Sequence, residues 1–200
     1  MTITPHLERF PITEFIYQYE HRNFSDSLIN SILDFTSTQN VSCGTIGGGI
    51  QDRDVRNVSI LNITDSFDKY DDTLSVINEC LYDYLCQKTY NNFVGLPLEF
   101  NVEVLQYLKY KPGGHYVPHV DKFYGCAGTQ GDRVFTALLY LNDDYAGGSL
   151  KFPYFKTQLK PKKGSILIFP STWEYCHCVE PVYRGERHSM VSWFLDANLQ

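Results

Sequence analysis

Tyr107-Leu108-Lys109-Tyr110-Lys111-Pro112-Gly113-Gly114-His115-Tyr116-Val117-Pro118-His119-Val120-Asp121 reads as two β-type runs divided by a Lys-Pro-Gly-Gly turn. Successive strand residues point to opposite faces. His119 and Asp121, two apart at the end of the second run, therefore project from one side, about 7 Å apart along the chain. A neutral imidazole beside a carboxylate can grip one divalent ion, and a second histidine from elsewhere would complete a two-His-one-carboxylate face. A solvent-facing histidine and aspartate at a strand end would give the same tripeptide, so the reading depends on what surrounds it.

Downstream of Gly95 and Pro97 the chain is a series of short β-type runs: 100–110, 116–121, 133–142, 149–152, 158–160, 165–170, 176–182 and 187–195. Turn signals separate them at Asn142-Asp143-Asp144, Gly147-Gly148, Pro161-Lys162-Lys163-Gly164 and Arg184-Gly185-Glu186. Short strands at that spacing predict a sandwich or barrel. The expected fold is mainly β with flanking α-helices: a double-stranded β-helix, jelly-roll or cupin-like, buttressed by N-terminal helices.

Upstream, the first twenty or so residues read as an irregular lead or an edge strand. Ser25 is an N-cap for a helix to about Thr36, with Leu28, Ile29, Ile32 and Leu33 at helical spacing. Residues 42–51, rich in glycine at 44 and 47–49, read as a loop. Residues 54–63 alternate as one strand. Asp71 or Asp72 caps a second helix, with Leu74, Ile77, Leu81 and Leu85 on one face, to about Thr89. The whole, 1–200, is expected to be one domain, with 1–97 as helical support and substrate loops and 98–196 as the barrel strands.

Composition narrows the partners. A net charge of −6 with no run of Lys or Arg argues against nucleic acid or an anionic membrane. The six cysteines at 43, 80, 86, 126, 176 and 178 have no disulfide-scaffold rhythm, which with no basic leader or membrane-length apolar run predicts reduced thiols and a cytoplasmic protein; a monomer or weak homodimer is expected. Cys176-His177-Cys178 suggests zinc at first sight, but on a strand the two thiols face away from the imidazole.

That imidazole is the candidate second histidine. Its alternative is a hydrogen-bonded structural residue; the segment ten residues on favours a ligand. A turn at Gly185 brings a following strand back beside His177, and on it Arg187, Ser189, Val191 and Trp193 share one face. An inward arginine is costly to bury unless it meets an anion, and its planar fork suits a carboxylate. An internal Arg–Glu pair or an outward Arg187 are the alternatives. Tyr110 and Tyr140 end strands whose inward positions also include Val104, Gln106, Leu108, Thr136 and Leu138, so their hydroxyls can serve the same anion or simply pack in the core.

With these residues in place the sequence resembles the iron(II)- and 2-oxoglutarate-dependent dioxygenases, in the prolyl 4-hydroxylase-like branch. Four segments carry the resemblance in order: Gln106-x-Leu108-x-Tyr110 with Tyr116-x-Pro118-His119-x-Asp121-x-Phe123; Arg133-x-x-Thr136-x-x-x-Tyr140-Leu141-Asn142; Gly147-Gly148-x-Leu150-x-Phe152 with Pro161-x-x-Gly164; and His177-x-x-x-Pro181-Val182-x-x-Gly185-x-Arg187 to Trp193. The first hundred residues match loosely, through Asp54-Val55-Arg56.

The resemblance implies Fe(II) ligands at His119, Asp121 and His177, and a 2-oxoglutarate carboxylate anchor at Arg187. Arginine there is similar to the oxygen-sensing prolyl hydroxylases, whereas collagen-type members often carry lysine. Tyr140, Tyr110 and Ser189 are implied to line the cosubstrate pocket, and Arg56, Arg133 and Trp193 the substrate side. It further implies O2 as oxidant, ascorbate as reductant, and hydroxylation of proline in a peptide or protein, with succinate and CO2 as coproducts. The loops 42–51 and 122–132 are expected to choose the substrate. Two other readings remain from the residues alone: the same chemistry on another residue or a free amino acid, and a non-catalytic jelly-roll module that binds a metal or ligand.

Overall fold

The structure is a computed structural model that describes residues 6–46, 49–87, 100–122 and 133–196. In chain order, β1 (Leu7–Pro11) and β2 (Tyr17–His21) form a hairpin, followed by α1 (Asp26–Ser37), β3 (Ser42–Cys43), β4 (Arg56–Asn57), β5 (Ser59–Ile63) and α2 (Tyr70–Gln87). Then come β6 (Phe100–Val102), β7 (Leu105–Tyr110), β8 (His115–His119), β9 (Arg133–Tyr140), β10 (Ala146–Gly147), β11 (Leu150–Phe152) and β12 (Thr157–Leu159). The chain continues with β13 (Ser165–Pro170), a 3-10 turn at Trp173–Tyr175, β14 (His177–Val179), β15 (Val182–Arg184) and β16 (Arg187–Asp196). The strands make a major sheet in the order β1-β2-β13-β9-β16-β7-β5-β3, with β6 on β16, a minor sheet in the order β12-β11-β14-β8-β4, and a β10-β15 pair. This is the mainly β, double-stranded architecture expected, with α1 and α2 covering one face.

The period-two pattern of the central strands decides what faces what. On β9, Phe135, Ala137 and Leu139 meet the helices, packing with Ile29, Ile32, Ile77 and Tyr84; Leu138 and Tyr140 turn to the space between the sheets, with Phe152, Phe169 and Trp193. On β16, Met190 and Phe194 belong to the helix side, and Val191 and Trp193 to the inter-sheet side. Ser25 does cap α1: its side chain accepts from the Leu28 amide and closes one of the free N–H groups of the first turn.

Several boundaries differ from the reading above. Residues 7–21 form a hairpin whose first strand, β1, is the edge strand of the major sheet, as one of the two readings had it, whereas β2 is interior, hydrogen-bonded to both β1 and β13, because Tyr17 and Tyr19 both turn into the core. Residues 54–63 are not one strand. The chain turns at Asp52–Val55, where the Arg56 amide reaches the Asp52 carbonyl at 2.8 Å; it pairs with β8 through β4, then crosses at Val58 to pair with β7 through β5. Part of the glycine-rich segment is ordered by pairing: Ser42 and Cys43 pair with Ile60 and Ser59. Gly47 and Gly48, and residues 123–132 of the second proposed substrate loop, lie outside the described residues. Asp71 and Asp72 sit in the first turn of α2, which starts at Tyr70, so they complement the helix dipole rather than cap the end.

Candidate active site

Pairing of β8 with β14 brings two distant parts of the chain together. His119 and His177 are Cα partners across that pair, and their rings lie 4.3 Å apart between centroids. Asp121 is two residues beyond the end of β8, so the alternation argument put it in the right place through the wrong element. Its position is fixed by neighbours instead. Thr136 Oγ1 donates to Asp121 Oδ2 at 2.8 Å and itself pairs with Ser171 Oγ at 2.8 Å. Arg133 Nη1 donates to the Asp121 carbonyl at 3.2 Å.

The three side chains converge. Asp121 Oδ1 is 3.8 Å from His119 Nε2, and Asp121 Oδ2 is 3.7 Å from His177 Nε2; one ligand atom from each residue lies within 4.8 Å of the others. In both histidines Nδ1 faces a backbone carbonyl, Val117 at 2.8 Å and Tyr175 at 3.0 Å. Donation from Nδ1–H leaves the Nε2 lone pair aimed at the common point, the arrangement that orients metal-binding imidazoles. Burial and the adjacent His177 push the His119 imidazolium down to about 3, so the ring is neutral at physiological pH. Burial alone would raise the Asp121 carboxyl; His177, His119 and the Thr136 hydrogen bond outweigh it and hold the carboxyl below its ordinary value. Two neutral nitrogens and a carboxylate are a donor set for a borderline divalent metal. Among the described residues, Cys176 and Cys178 join no metal-binding group with His177.

The second half of the site is Arg187. It begins β16 opposite Tyr110 of β7, only 1% exposed, with its guanidinium 4.9 Å from the Tyr110 ring centre and 5.0 Å from that of Tyr140. Neither its Nε nor its Nη1 has a hydrogen-bond partner, and the buried Tyr140 and Tyr145 hydroxyls and Ser189 Oγ are also unpaired. Burial works against the charge on Arg187, yet Tyr140, Tyr110 and Tyr145 outweigh it and keep the proton firmly bound. Tyr140 is pushed up to about 12, chiefly by burial, so it stays a hydroxyl donor. A cation buried without a counter-ion costs several kcal/mol in an isolated chain. This cradle of unpaired donors fits a carboxylate, and the internal Arg–Glu alternative has no counterpart among the described residues.

A cavity of about 520 Å³ connects the two halves, lined by His119, Asp121 and His177 at one side, by Arg187 and Tyr110, and by apolar Leu138, Leu150, Val179 and Val191. Arg56, Arg133 and Trp193 line it too. Arg56 stacks on Tyr116 at 4.8 Å and donates to the Thr45 carbonyl and to Gln106. Arg133 lies 3.6 Å over the Trp193 ring, but its charge is matched: Nε and Nη2 each reach Glu103 at 2.6 Å. Sequence reasoning overlooked Glu103, Tyr145 and Ser171. Tyr145 followed a turn signal, Glu103 fell inside the single run read over 100–110, which the structure divides into β6 and β7, and Ser171 lies just past β13; none carried a spacing that marks it.

The comparisons with known proteins agree with this geometry. Residues 105–195 match the profile of the 2OG-Fe(II) oxygenase superfamily. A prolyl 4-hydroxylase homologue of Acanthamoeba polyphaga mimivirus is 31% identical over 111 residues, 47% of this chain and 45% of that protein; the chain thus spans less than half the length of this relative. Two solved structures share the fold over 96% of this chain. The viral collagen prolyl hydroxylase of Paramecium Bursaria Chlorella virus-1, in its 2OG complex, has TM-score 0.65, 22% identity and 96% of its own chain covered. The prolyl hydroxylase of Trichoplax adhaerens, bound to a peptide fragment of the hypoxia inducible factor oxygen degradation domain, has TM-score 0.67, 20% identity and 84% covered. The match over β7 to β16 takes in the two histidines and aspartate around one point and the buried arginine that shares their cavity, and over that part the chain is similar to the 2OG-Fe(II) oxygenase superfamily.

Proposed function

We propose that this protein is an Fe(II)- and 2-oxoglutarate-dependent dioxygenase that hydroxylates proline in a peptide or protein. The observation that carries the reading is the buried, unpaired Arg187 sharing one cavity with His119, Asp121 and His177. A binding module needs a metal site or an anion cradle; an open metal face with a carboxylate clamp beside it suits an enzyme that uses a keto acid.

In this reading His119 Nε2, the Asp121 carboxylate and His177 Nε2 hold the ion. Arg187 takes a carboxylate of 2-oxoglutarate, with the Tyr140, Tyr145 and Ser189 hydroxyls as further donors and Tyr110 packed against the guanidinium. When bound, iron and 2-oxoglutarate supply oxidative decarboxylation to succinate and CO2 coupled to insertion of one oxygen atom from O2 into a C–H bond. The protein's part is placement. Thr136 and Arg133 fix Asp121 so that its carboxylate presents to the ion, and the backbone acceptors of Nδ1 hold both imidazoles in one tautomer. Leu138, Leu150, Val179 and Val191 keep the cavity wall apolar, which excludes water and strengthens the charged contacts inside. The peptide enters past Arg56, Arg133 and Trp193.

The test is mass spectrometry of proline-containing peptides after incubation with Fe(II), ascorbate and 2-oxoglutarate. A gain of one oxygen on proline supports the proposal. Oxygen gained on another residue, or on free amino acids alone, would move the substrate assignment and leave the cofactor chemistry standing.

A further inference from the structure

We propose that a cleft beside the reaction cavity, walled by Arg53, Lys109 and Lys111 and joined to the cavity through Arg56, docks an acidic segment of the peptide substrate. The inference rests on the peptide-oxidising reading and adds to it the kind of sequence the protein prefers. The chain is acidic as a whole, with a net charge of −6. Against that background, a cleft of about 320 Å³ is lined by four cationic side chains and by no carboxylate among the described residues.

The four cations differ in how far they are already matched. Lys109 is paired with Glu186 at 2.8 Å. Arg56 is half-buried and donates to two neutral acceptors, the Thr45 carbonyl and Gln106, with its Nε unpaired. Arg53 and Lys111 are the two left over. Arg53 touches the Cys43 thiol at 3.4 Å, and Lys111 acts on Glu186 only from beyond ion-pair range. Both are exposed. Two exposed cations beside two more in one wall raise the local potential for an incoming anion. Ser59 in the same wall adds a neutral hydroxyl.

The cleft is placed where a bound peptide can reach it. Arg56 is in the wall of both spaces. Its strand, β4, is the outer strand of the minor sheet and pairs Arg56 with Tyr116 and Asn57 with His115. His115 is next to the cleft residue Gly114, and His119 is at the reaction centre. They lie four positions apart along the strand, about 13 Å. An extended peptide with its target proline at the centre therefore sets acidic residues in the cleft when they lie about four positions away along its sequence.

Two pairs of labelled peptides test this, one pair for each side of the proline, the members of a pair identical except for Glu-Glu or Gln-Gln four positions from it. Their binding is measured by fluorescence anisotropy at low salt. The Glu-Glu peptide on one side should bind about 3- to 10-fold more tightly than its Gln-Gln partner, the range for two exposed ion pairs. The gap should close in Arg53→Ser/Lys111→Ser and in high salt, and Arg53→Glu/Lys111→Glu should prefer a Lys-Lys peptide. Equal binding of the Glu-Glu and Gln-Gln peptides on both sides overturns the proposal, as does a gap that persists undiminished in the serine variant. Turnover is followed in parallel: a Glu-Glu preference with no peptide oxidised leaves the docking site standing and counts against the hydroxylase reading instead.

Discussion

Replacing Arg187 by methionine separates the cost of its burial from its use. In the unliganded protein the guanidinium is 1% exposed with Nε and Nη1 unpaired, so an apolar side chain of similar length removes an uncompensated charge. Exchanges of buried ions for apolar residues are neutral or stabilising by about 1–4 kcal/mol. The ligand-bound state should behave in the opposite way. A charge-assisted contact to a carboxylate contributes about 1.5–3 kcal/mol, a loss of roughly 10- to 150-fold in affinity for 2-oxoglutarate. Thermal melts with Mn(II) as an inert stand-in for iron measure both. Wild type should gain about 5–10 °C at 2-oxoglutarate concentrations near a hundred times its dissociation constant, from roughly 2.7 kcal/mol of linkage. Arg187→Met should melt no lower than wild type without ligand and gain only about 1–5 °C at the same 2-oxoglutarate concentration, and Arg187→Lys should recover part of the difference. A methionine variant that melts far lower alone, yet keeps the full 2-oxoglutarate shift, would refute the anion-cradle reasoning and make Arg187 a structural residue.

Three further outcomes follow from the same contacts. Thr136→Val removes the donor to Asp121 Oδ2 and should weaken Mn(II) or Co(II) binding by about 10- to 100-fold, with Thr136→Ser restoring most of it; calorimetric titration reads both. Gly148→Ala puts a methyl group 3.2 Å from Arg187 Cδ and 3.0 Å from Val182 Cγ2 at φ +64°, so it should cost about 1–3 kcal/mol in denaturant melts and weaken 2-oxoglutarate binding as well. Metal-free protein should lose stability as pH falls from about 6.5. Folded His119 takes a proton only near 3 while the unfolded ring takes one near 6.5, so the unfolded chain binds more protons across that window and stability rises with pH. The depressed Asp121 adds stability above its unfolded value near 3.9 that is lost on further acidification. His119→Asn should flatten the upper part of this profile in melts run across pH.

The parts of the fold legible from sequence were those written in a local period. β9 and β16 alternate cleanly between helix-facing and cavity-facing residues, so Thr136, Leu138, Tyr140 and Arg187, Ser189, Val191, Trp193 could be assigned to one side before any pairing was known. The helices carried caps or apolar faces of their own. What stayed hidden depends on pairing partners far along the chain. Nothing in residues 54–63 marks Val58 as the point where the chain leaves one sheet for the other, since alternation continues through it. β2 is interior because β13 arrives from about 145 residues later to pair with it, as Ser165 does with Glu20. Asp121 was found through a strand that ends before it; its real support, Thr136 and Arg133, lies in β9. Arg133 itself was expected on the substrate side, and only the structure reveals Glu103 across from it.

The most direct test of the account is whether the protein converts 2-oxoglutarate to succinate with Fe(II) and O2, and whether that conversion depends on the proposed ligands. Labelled 2-oxoglutarate is incubated with wild type, His177→Ala and Zn(II)-loaded wild type, and labelled succinate is quantified. Succinate from the Fe(II)-loaded wild type, and none above background from the other two, is the predicted result. Succinate formed equally well by His177→Ala would contradict the assignment of His119, Asp121 and His177 as the metal site.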